Sequence, residues 1–271
     1  MFEWHKYLCE YYNVTPYEAL ELGTRKTGRK PNLPGSVTCN PVSGKTFEDI
    51  WEEHPRKTIP DIFKFYKDQG AWSSFRQSVR HKDLENLHLG FLKYASQIGV
   101  LKQGSHICEY GCGVAPFITT FMKYCPDDSK IKITVTDLDC EHFSFAQYKL
   151  KRIKEERNLK NVEINFLTID PYNLPSFGSF VDLLFCFEVM EHVPSPLSVI
   201  SNINNQLNSG AIYAENFIKH EDDKDDGPDL LSARLERNKY YEFLNENFKL
   251  IHPSLEESNA NPNVTRIWRK N

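Results

Sequence analysis

Residues 187–196, FEVMEHVPSP, place three side chains capable of chemistry directly after the apolar run VDLLFC. Glu188, Glu191 and His192 have the spacing E-x-x-E-H, and we call these three residues the E-x-x-E-H motif. If a helical turn follows the apolar run, the three side chains share one face, because they occupy positions i, i+3 and i+4. Two carboxylates and one imidazole suit Mg²⁺, Mn²⁺ or a similar ion, so the motif is a candidate metal site.

Two interpretations of this motif remain open at the level of sequence. Two buried carboxylates without a cation are costly or hold a proton, and this cost favours a bound metal. His220, which follows the strand-like run GAIYAENF, is then the candidate fourth ligand. Without a metal, the motif forms the floor of a pocket in which His192 acts as a general base. The candidate catalytic residues are His192 and Glu188.

A glycine-rich turn, EYGCGVAP at residues 109–116, follows the strand-like run HICEY. Glycine between a strand and a helix lets the backbone approach a ligand closely and directs helix N–H groups at it. A nicotinamide site would have the pattern G-x-G-x-x-G, but Pro116 stands at the third glycine position. Because Glu109 would also repel a pyrophosphate, the turn favours a ligand with a positively charged amino-acid end.

The elements around these motifs alternate between strand and helix from residue 84 onward. Strands are predicted at residues 106–110, 130–137, 162–170, 180–188, 210–217, 248–254 and 263–270. The alternation predicts an α/β fold with a Rossmann-like, mainly parallel sheet and helices on both of its faces. The last two strands have no helix between them, so we expect them to form a C-terminal antiparallel hairpin.

The sequence before residue 84 differs from this pattern. A capping box with Pro at the first helical position, TPYE at residues 15–18, predicts a helix that continues to about Leu22. Residues 23–45 are rich in Gly and Pro and predict an irregular segment, and the aromatic-rich stretch after them is typical of short helices. We therefore predict a small, mostly helical N-terminal cap over residues 1–83, which could bind substrate, and an α/β domain over residues 84–271.

The bulk composition excludes several classes of protein. The chain has 271 residues and a net charge of -4, which argues against an extended nucleic-acid-binding surface. No apolar run approaches the length of a membrane span, and the N-terminal residues lack the pattern of a signal peptide. Seven cysteines without a CxxC pair suit a reducing compartment. We therefore expect a cytoplasmic protein without a membrane partner.

The run ICEYGCGVAPF resembles the first motif of class I S-adenosylmethionine-dependent methyltransferases, an acidic residue followed by G-x-G-x-G. Ala115 replaces the third glycine of that pattern. The resemblance extends in family order over roughly residues 84–271, through the ends of the second, third and fourth predicted strands. It implies S-adenosylmethionine as the cofactor and the following binding residues: Glu109, Gly111, Gly113, Asp137, Leu138, Asp170, Pro171 and Phe187.

Two of these residues have specific roles in the family. The resemblance implies that Asp137 holds the ribose hydroxyls of the cofactor and that Asp170 faces the adenine amino group. Each residue also has a structural alternative, since Asp137 could simply end its strand in a turn. Asp170 and Pro171 together are a common turn starter.

The E-x-x-E-H motif is similar to the metal-binding motif of small-RNA 2′-O-methyltransferases and to the E-x-x-E-H-V of ubiquinone-pathway O-methyltransferases. The resemblance implies a metal that would hold the substrate hydroxyls and lower their pKa. We therefore predict a metal-assisted O-methyltransferase that acts on a small metabolite, a sugar or a glycan precursor. The alternatives are an RNA 2′-O-methyltransferase, which the net charge disfavours, a small-molecule N-methyltransferase, and an inactive cofactor-binding partner subunit.

Overall fold

The computed structural model describes residues 4–24, 53, 58–170, 172–217, 229–253 and 264–271. The described N-terminal part of the chain forms the helices α1 (Lys6–Tyr12), α2 (Pro16–Thr24), α3 (Ile59–Asp68), α4 (Gly70–His81) and α5 (Glu85–Gln97). Next come β1 (His106–Tyr110), α6 (Pro116–Tyr124), β2 (Ile131–Asp137), α7 (Glu141–Glu156), β3 (Val162–Thr168) and β4 (Val181–Phe187). A 3₁₀-helix (Met190–His192) precedes α8 (Pro196–Asn205), β5 (Leu207–Asn216), α9 (Leu231–Asn247), β6 (Phe248–His252) and β7 (Arg266–Lys270).

These residues form two compact units. The first unit consists of residues 1–90, 113–127 and 137–160, and so combines the N-terminal helices with α6 and α7. The second unit consists of residues 91–112, 128–136 and 161–271, and contains the sheet apart from Asp137. The predicted division into a cap and an α/β domain stays a prediction.

The sheet has seven strands in the order β3-β2-β1-β4-β5-β7-β6. Strand β1 pairs in parallel with both β2 and β4, and β4 pairs in parallel with β5. Strand β7 is antiparallel to both β5 and β6. The structure therefore confirms the predicted α/β fold, in which a mainly parallel sheet ends in a C-terminal antiparallel pair.

Strand β4 shows why the apolar runs of this sequence form central strands. Val181, Leu183, Leu184 and Phe185 are all fully buried. A parallel strand between two neighbours is covered on both faces, so an almost continuous apolar run is stable there. Because β1 and β5 flank β4, the residues that follow Phe187 leave the sheet at the end of a central strand.

The N-terminal residues are helical where the structure describes them. The predicted capping box is present, since the N–H of Thr15 donates to Glu18 Oε2 at 2.7 Å and the N–H of Glu18 donates to Thr15 Oγ1 at 3.2 Å. The prediction of an irregular segment falls mostly on residues 25–45, which lie outside the described residues. Within the first unit, Tyr7 of α1 donates a hydrogen bond to Glu156 of α7 at 2.9 Å. Among the described helices, none has the length and apolar character needed to cross a membrane.

Candidate functional site

The glycine-rich turn begins in the second unit, directly after β1. Gly111 has a φ of +62°, and a Cβ atom added there would lie 2.4 Å from Val189 Cγ2. Only glycine suits this position, because the backbone is left-handed and the loop after β4 packs against it. Glu109, two residues earlier, is 5 % exposed. The structure therefore brings the start of the turn against the loop that carries the E-x-x-E-H motif.

The rest of the turn lies in the first unit and is anchored by Asp137. The N–H of Gly113 donates to Asp137 Oδ2 at 2.6 Å, and the N–H of Leu138 donates to Asp137 Oδ1 at 2.7 Å. Asp137 itself is 8 % exposed. Three predicted cofactor-binding residues are thus joined by direct hydrogen bonds at the end of β2.

Ala115 occupies the third glycine position of the motif and keeps the glycine-like backbone. Its φ is +49°, and α6 begins at the next residue, Pro116. A left-handed residue with a Cβ costs about 1–2 kcal/mol more than glycine. The turn therefore keeps its shape at this position despite the substitution.

Helix α4 supplies a contact that no motif in the sequence indicates. Gln77 Oε1 accepts a hydrogen bond from the N–H of Val114 at 3.1 Å. A Cβ atom at Gly113 would lie 2.1 Å from the same oxygen, so the glutamine amide packs directly on the turn. The aromatic-rich stretch that contains Gln77 indicates only short helices, and in α4 the aromatic Trp72 is buried in the core.

A buried histidine, His142, also faces the Asp137 carboxylate. Its Nε2 atom lies 3.7 Å from Asp137 Oδ2 and 3.0 Å from Cys140 Sγ. Burial by itself lowers the pKa of His142, but the Cys140 side chain and the Asp137 carboxylate raise that pKa to about 10. At neutral pH the imidazole is therefore positively charged beside the carboxylate.

The E-x-x-E-H motif lies in the second unit, at the end of β4. Glu188 has a φ of +55°, and its N–H donates to Asn216 Oδ1 at the end of β5, at 2.7 Å. Glu191 and His192 belong to the 3₁₀-helix. These two residues are consecutive in the helix, so their side chains point about 120° apart, and Glu188 lies before the helix begins.

Glu191 is the most unusual member of the motif. Its side chain is fully buried, and neither carboxylate oxygen has a hydrogen-bond partner among the described residues. Burial raises the pKa of Glu191 well above its usual value, and the charges of Asp229 and Glu188 raise it further. Such a group either holds a proton or accompanies a cation.

The described part of the chain contains one group of three candidate ligand atoms that all lie within 4.8 Å of one another, namely Asp137, Cys140 and His142. The E-x-x-E-H side chains do not form such a group there. His220, the fourth predicted ligand, lies outside the described residues. Metal binding by Glu188, Glu191, His192 and His220 therefore stays a prediction.

The predicted adenine-binding residues follow β3 and β4. Asp170 is exposed, and its Oδ1 atom accepts hydrogen bonds from the N–H groups of Tyr172 at 2.7 Å and Asn173 at 2.9 Å. These bonds are typical of an Asx turn, the structural alternative for this residue. Phe187 ends β4 and is half-buried, and Pro171 lies outside the described residues. The contact of Asp170, Pro171 and Phe187 with a cofactor stays a prediction.

Comparison with known proteins identifies the family to which this chain belongs. Residues 80–252 match the family model for a methyltransferase domain, which is more than half of the chain. The chain therefore belongs to the methyltransferase-domain family that this model describes. No curated protein matches the sequence.

Several solved structures are similar to this chain. TrmN from Thermus thermophilus shares 14% sequence identity over 69% of this chain, with a TM-score of 0.44, and the chain spans 49% of that structure's length. MccD protein shares 16% identity over 66% of this chain and 96% of its own, with a TM-score of 0.43. An S-adenosylmethionine-dependent methyltransferase from Clostridium acetobutylicum shares 13% identity over 49% of this chain and 50% of its own, with a TM-score of 0.38. Similarities of this size do not identify a substrate.

Proposed function

We propose that this protein transfers the methyl group of S-adenosylmethionine to a hydroxyl of a small metabolite, a sugar or a glycan precursor, with a divalent metal ion assisting. The observation that carries the cofactor part is the buried carboxylate of Asp137, which is hydrogen-bonded to Gly113 in the motif turn. The family match supports the same cofactor. The net charge of -4 supports a small acceptor over a nucleic acid.

The residues at the strand ends have separate roles in this proposal. Glu109 attracts the ammonium group of the cofactor, and Gly111 and Gly113 let the backbone approach it. Asp137 accepts hydrogen bonds from the ribose hydroxyls, which are suited to a charged acceptor. At the adenine end, Asp170 accepts a hydrogen bond from the adenine amino group. Apolar contact with the adenine comes from Leu138, Pro171 and Phe187.

The metal part of the proposal is supported by Glu191. A fully buried carboxylate without a hydrogen-bond partner among the described residues suits a cation, because the cation would offset the desolvation of the charge. Glu188, Glu191, His192 and His220 would hold a Mg²⁺ or Mn²⁺ ion. When bound, the ion would lower the pKa of the acceptor hydroxyl. Glu188 would take up the proton of that hydroxyl through a carboxylate oxygen that does not bind the ion, whereas His192 would take it up only if no ion is bound.

Cofactor binding is tested by thermal unfolding in the presence of S-adenosylhomocysteine, the product of methyl transfer. We expect the ligand to stabilise the protein by about 2.7 kcal/mol at 100 times its Kd. Methyl transfer is then measured on pairs of acceptors that carry a hydroxyl or an amine at the same position, and we expect methylation of the hydroxyl member. Absence of stabilisation would contradict the proposed cofactor, whereas methylation of amines alone would contradict the proposed acceptor.

Metal assistance is tested with the isosteric variant Glu191→Gln. We expect Mn²⁺ to raise the melting temperature of the unaltered protein but not that of the variant, and we expect the variant to lose at least 90% of the methyl transfer rate, about 1.4 kcal/mol. Glu242→Gln, at an exposed position of α9, makes the same chemical change and should leave both properties unaltered. If Glu191 instead holds a proton, the glutamine is tolerated and methyl transfer continues in the presence of a strong chelator.

A further inference from the structure

Four buried residues are joined by hydrogen bonds and by an ion pair, and we call them the imidazole cluster: Ser73, Asp137, Cys140 and His142. All four belong to the first unit, and each is less than one-tenth exposed. Ser73 lies in α4, and Cys140 and His142 lie at the start of α7. The cluster therefore connects an N-terminal helix to the carboxylate at the end of β2.

The hydrogen bonds of Ser73 show that Nδ1 of His142 carries a hydrogen. Ser73 Oγ donates to the carbonyl oxygen of Gly70 at 2.9 Å, and this bond uses its one hydroxyl hydrogen. Ser73 Oγ also lies 3.0 Å from His142 Nδ1 and must therefore accept a hydrogen bond from this nitrogen. Nδ1 is the donor in this pair, and the ring is held with Nε2 facing Cys140 and Asp137.

The distances within the cluster match hydrogen bonds and an ion pair better than a metal site. His142 Nε2 lies 3.0 Å from Cys140 Sγ. In a tetrahedral zinc site, bond lengths of about 2.3 Å to sulfur and about 2.0 Å to nitrogen place these atoms about 3.5 Å apart. Asp137 Oδ2 also already accepts a hydrogen bond from the N–H of Gly113 at 2.6 Å. The cluster is therefore complete without an ion.

We propose that His142 is a positioning residue that orients the Asp137 carboxylate toward the ribose hydroxyls of S-adenosylmethionine, with Ser73 orienting His142 in turn. This inference rests on the proposed function, since it requires that Asp137 binds the ribose. The carboxylate has four lone-pair sites, and the N–H groups of Gly113 and Leu138 occupy two of them. The positive imidazole beside Oδ2 favours one orientation of the carboxylate, and a binding group held in place loses less entropy when a ligand arrives.

Two substitutions at His142 separate positioning from simple packing. His142→Asn keeps an amide nitrogen near the position of Nδ1, so it can donate to Ser73, but it has no group that reaches Asp137. His142→Gln places its amide nitrogen near the position of Nε2, so it can donate toward Asp137. We expect S-adenosylhomocysteine to bind about 10-fold more weakly to the asparagine variant and about 3-fold more weakly to the glutamine variant. A residue that only fills space would show equal losses.

The decisive measurement compares S-adenosylhomocysteine with its 2′,3′-dideoxy analogue by calorimetric titration. If His142 acts through the ribose contact of Asp137, His142→Asn weakens binding of S-adenosylhomocysteine but has little effect on the analogue. Equal loss for both ligands, or no loss for either, would overturn the positioning role. Failure of the unaltered protein to bind S-adenosylhomocysteine would instead overturn the proposed function.

Ser73→Ala keeps the measurement informative if both histidine variants fail to fold. This variant leaves the ring in place and removes only the group that accepts from Nδ1. We expect about a 3-fold loss of affinity for S-adenosylhomocysteine and no loss for the dideoxy analogue. Ser78→Ala, a half-buried serine of the same helix outside the imidazole cluster, is the matched control and should bind both ligands normally. Unaltered binding by Ser73→Ala would contradict the proposed role of Ser73 and His142.

Discussion

Asp137→Asn is expected to weaken the binding of S-adenosylhomocysteine about 100-fold, which corresponds to about 2.7 kcal/mol. The asparagine has the shape of the aspartate but replaces one oxygen with an N–H₂ group. In the structure each carboxylate oxygen accepts from a different backbone N–H, that of Gly113 or that of Leu138. In either orientation of the amide, its NH₂ group therefore faces one of the two backbone N–H donors. The substitution also removes the negative charge that would strengthen the hydrogen bonds from the ribose hydroxyls.

The control for this variant is Asp139→Asn, which makes the same change at an exposed position two residues further along the chain. We expect the control to bind S-adenosylhomocysteine with unaltered affinity, as measured by calorimetric titration. Circular dichroism establishes that both variants are folded before affinity is compared. A folded Asp137→Asn protein that binds the ligand as tightly as its Asp139→Asn counterpart would show that Asp137 only ends its strand.

Gly111→Ala is expected to lower the free energy of unfolding by about 2–4 kcal/mol and to reduce cofactor binding with it. Two costs add at this position: the left-handed backbone at φ +62° costs about 1–2 kcal/mol, and the new methyl group would overlap Val189 Cγ2 at 2.4 Å. The turn and the loop that carries the E-x-x-E-H motif then cannot both keep their positions. The proposed binding residues of the turn and those of the loop are therefore displaced. Chemical denaturation measures the loss of stability.

Gly99→Ala separates these two costs. Gly99 has a φ of +74°, but a Cβ atom added there would meet nothing within 4 Å, so only the backbone cost of about 1–2 kcal/mol is expected. The double variant Gly111→Ala/Val189→Ala removes the atoms that overlap and should recover part of the stability lost in Gly111→Ala. Equal losses in Gly111→Ala and Gly99→Ala would mean that the contact with Val189 is not important.

The elements of the sheet follow closely from local sequence. The run HICEY predicts a strand and forms β1 with the same bounds, His106–Tyr110. The apolar run after residue 180 forms β4, a central strand, as its composition predicted. Local patterns are sufficient here, because a buried parallel strand requires an apolar run and the turn beside it requires glycine at a left-handed position.

The candidate site was predicted less completely. The glycines and Asp137 follow from motif and strand position, and the structure joins Gly113, Asp137 and Leu138 by hydrogen bonds. The common face expected for Glu188, Glu191 and His192 required all three in one helical turn, whereas Glu188 lies outside the 3₁₀-helix that contains Glu191 and His192. The spacing E-x-x-E-H is compatible with both arrangements, so spacing alone does not determine where these side chains point.

The sequence by itself determined the order of strands and helices and the glycine turn, because each depends on residues that are close together in the chain, and the resemblance of its motifs to a family indicated the cofactor. Only the tertiary structure decided what surrounds the functional groups. Ser73 and His142 are 69 positions apart, and Gly113 and Asp137 are 24 apart, so no local pattern predicts their contacts. The burial of Glu191 without a hydrogen-bond partner among the described residues likewise depends on packing between distant elements, which spacing does not encode.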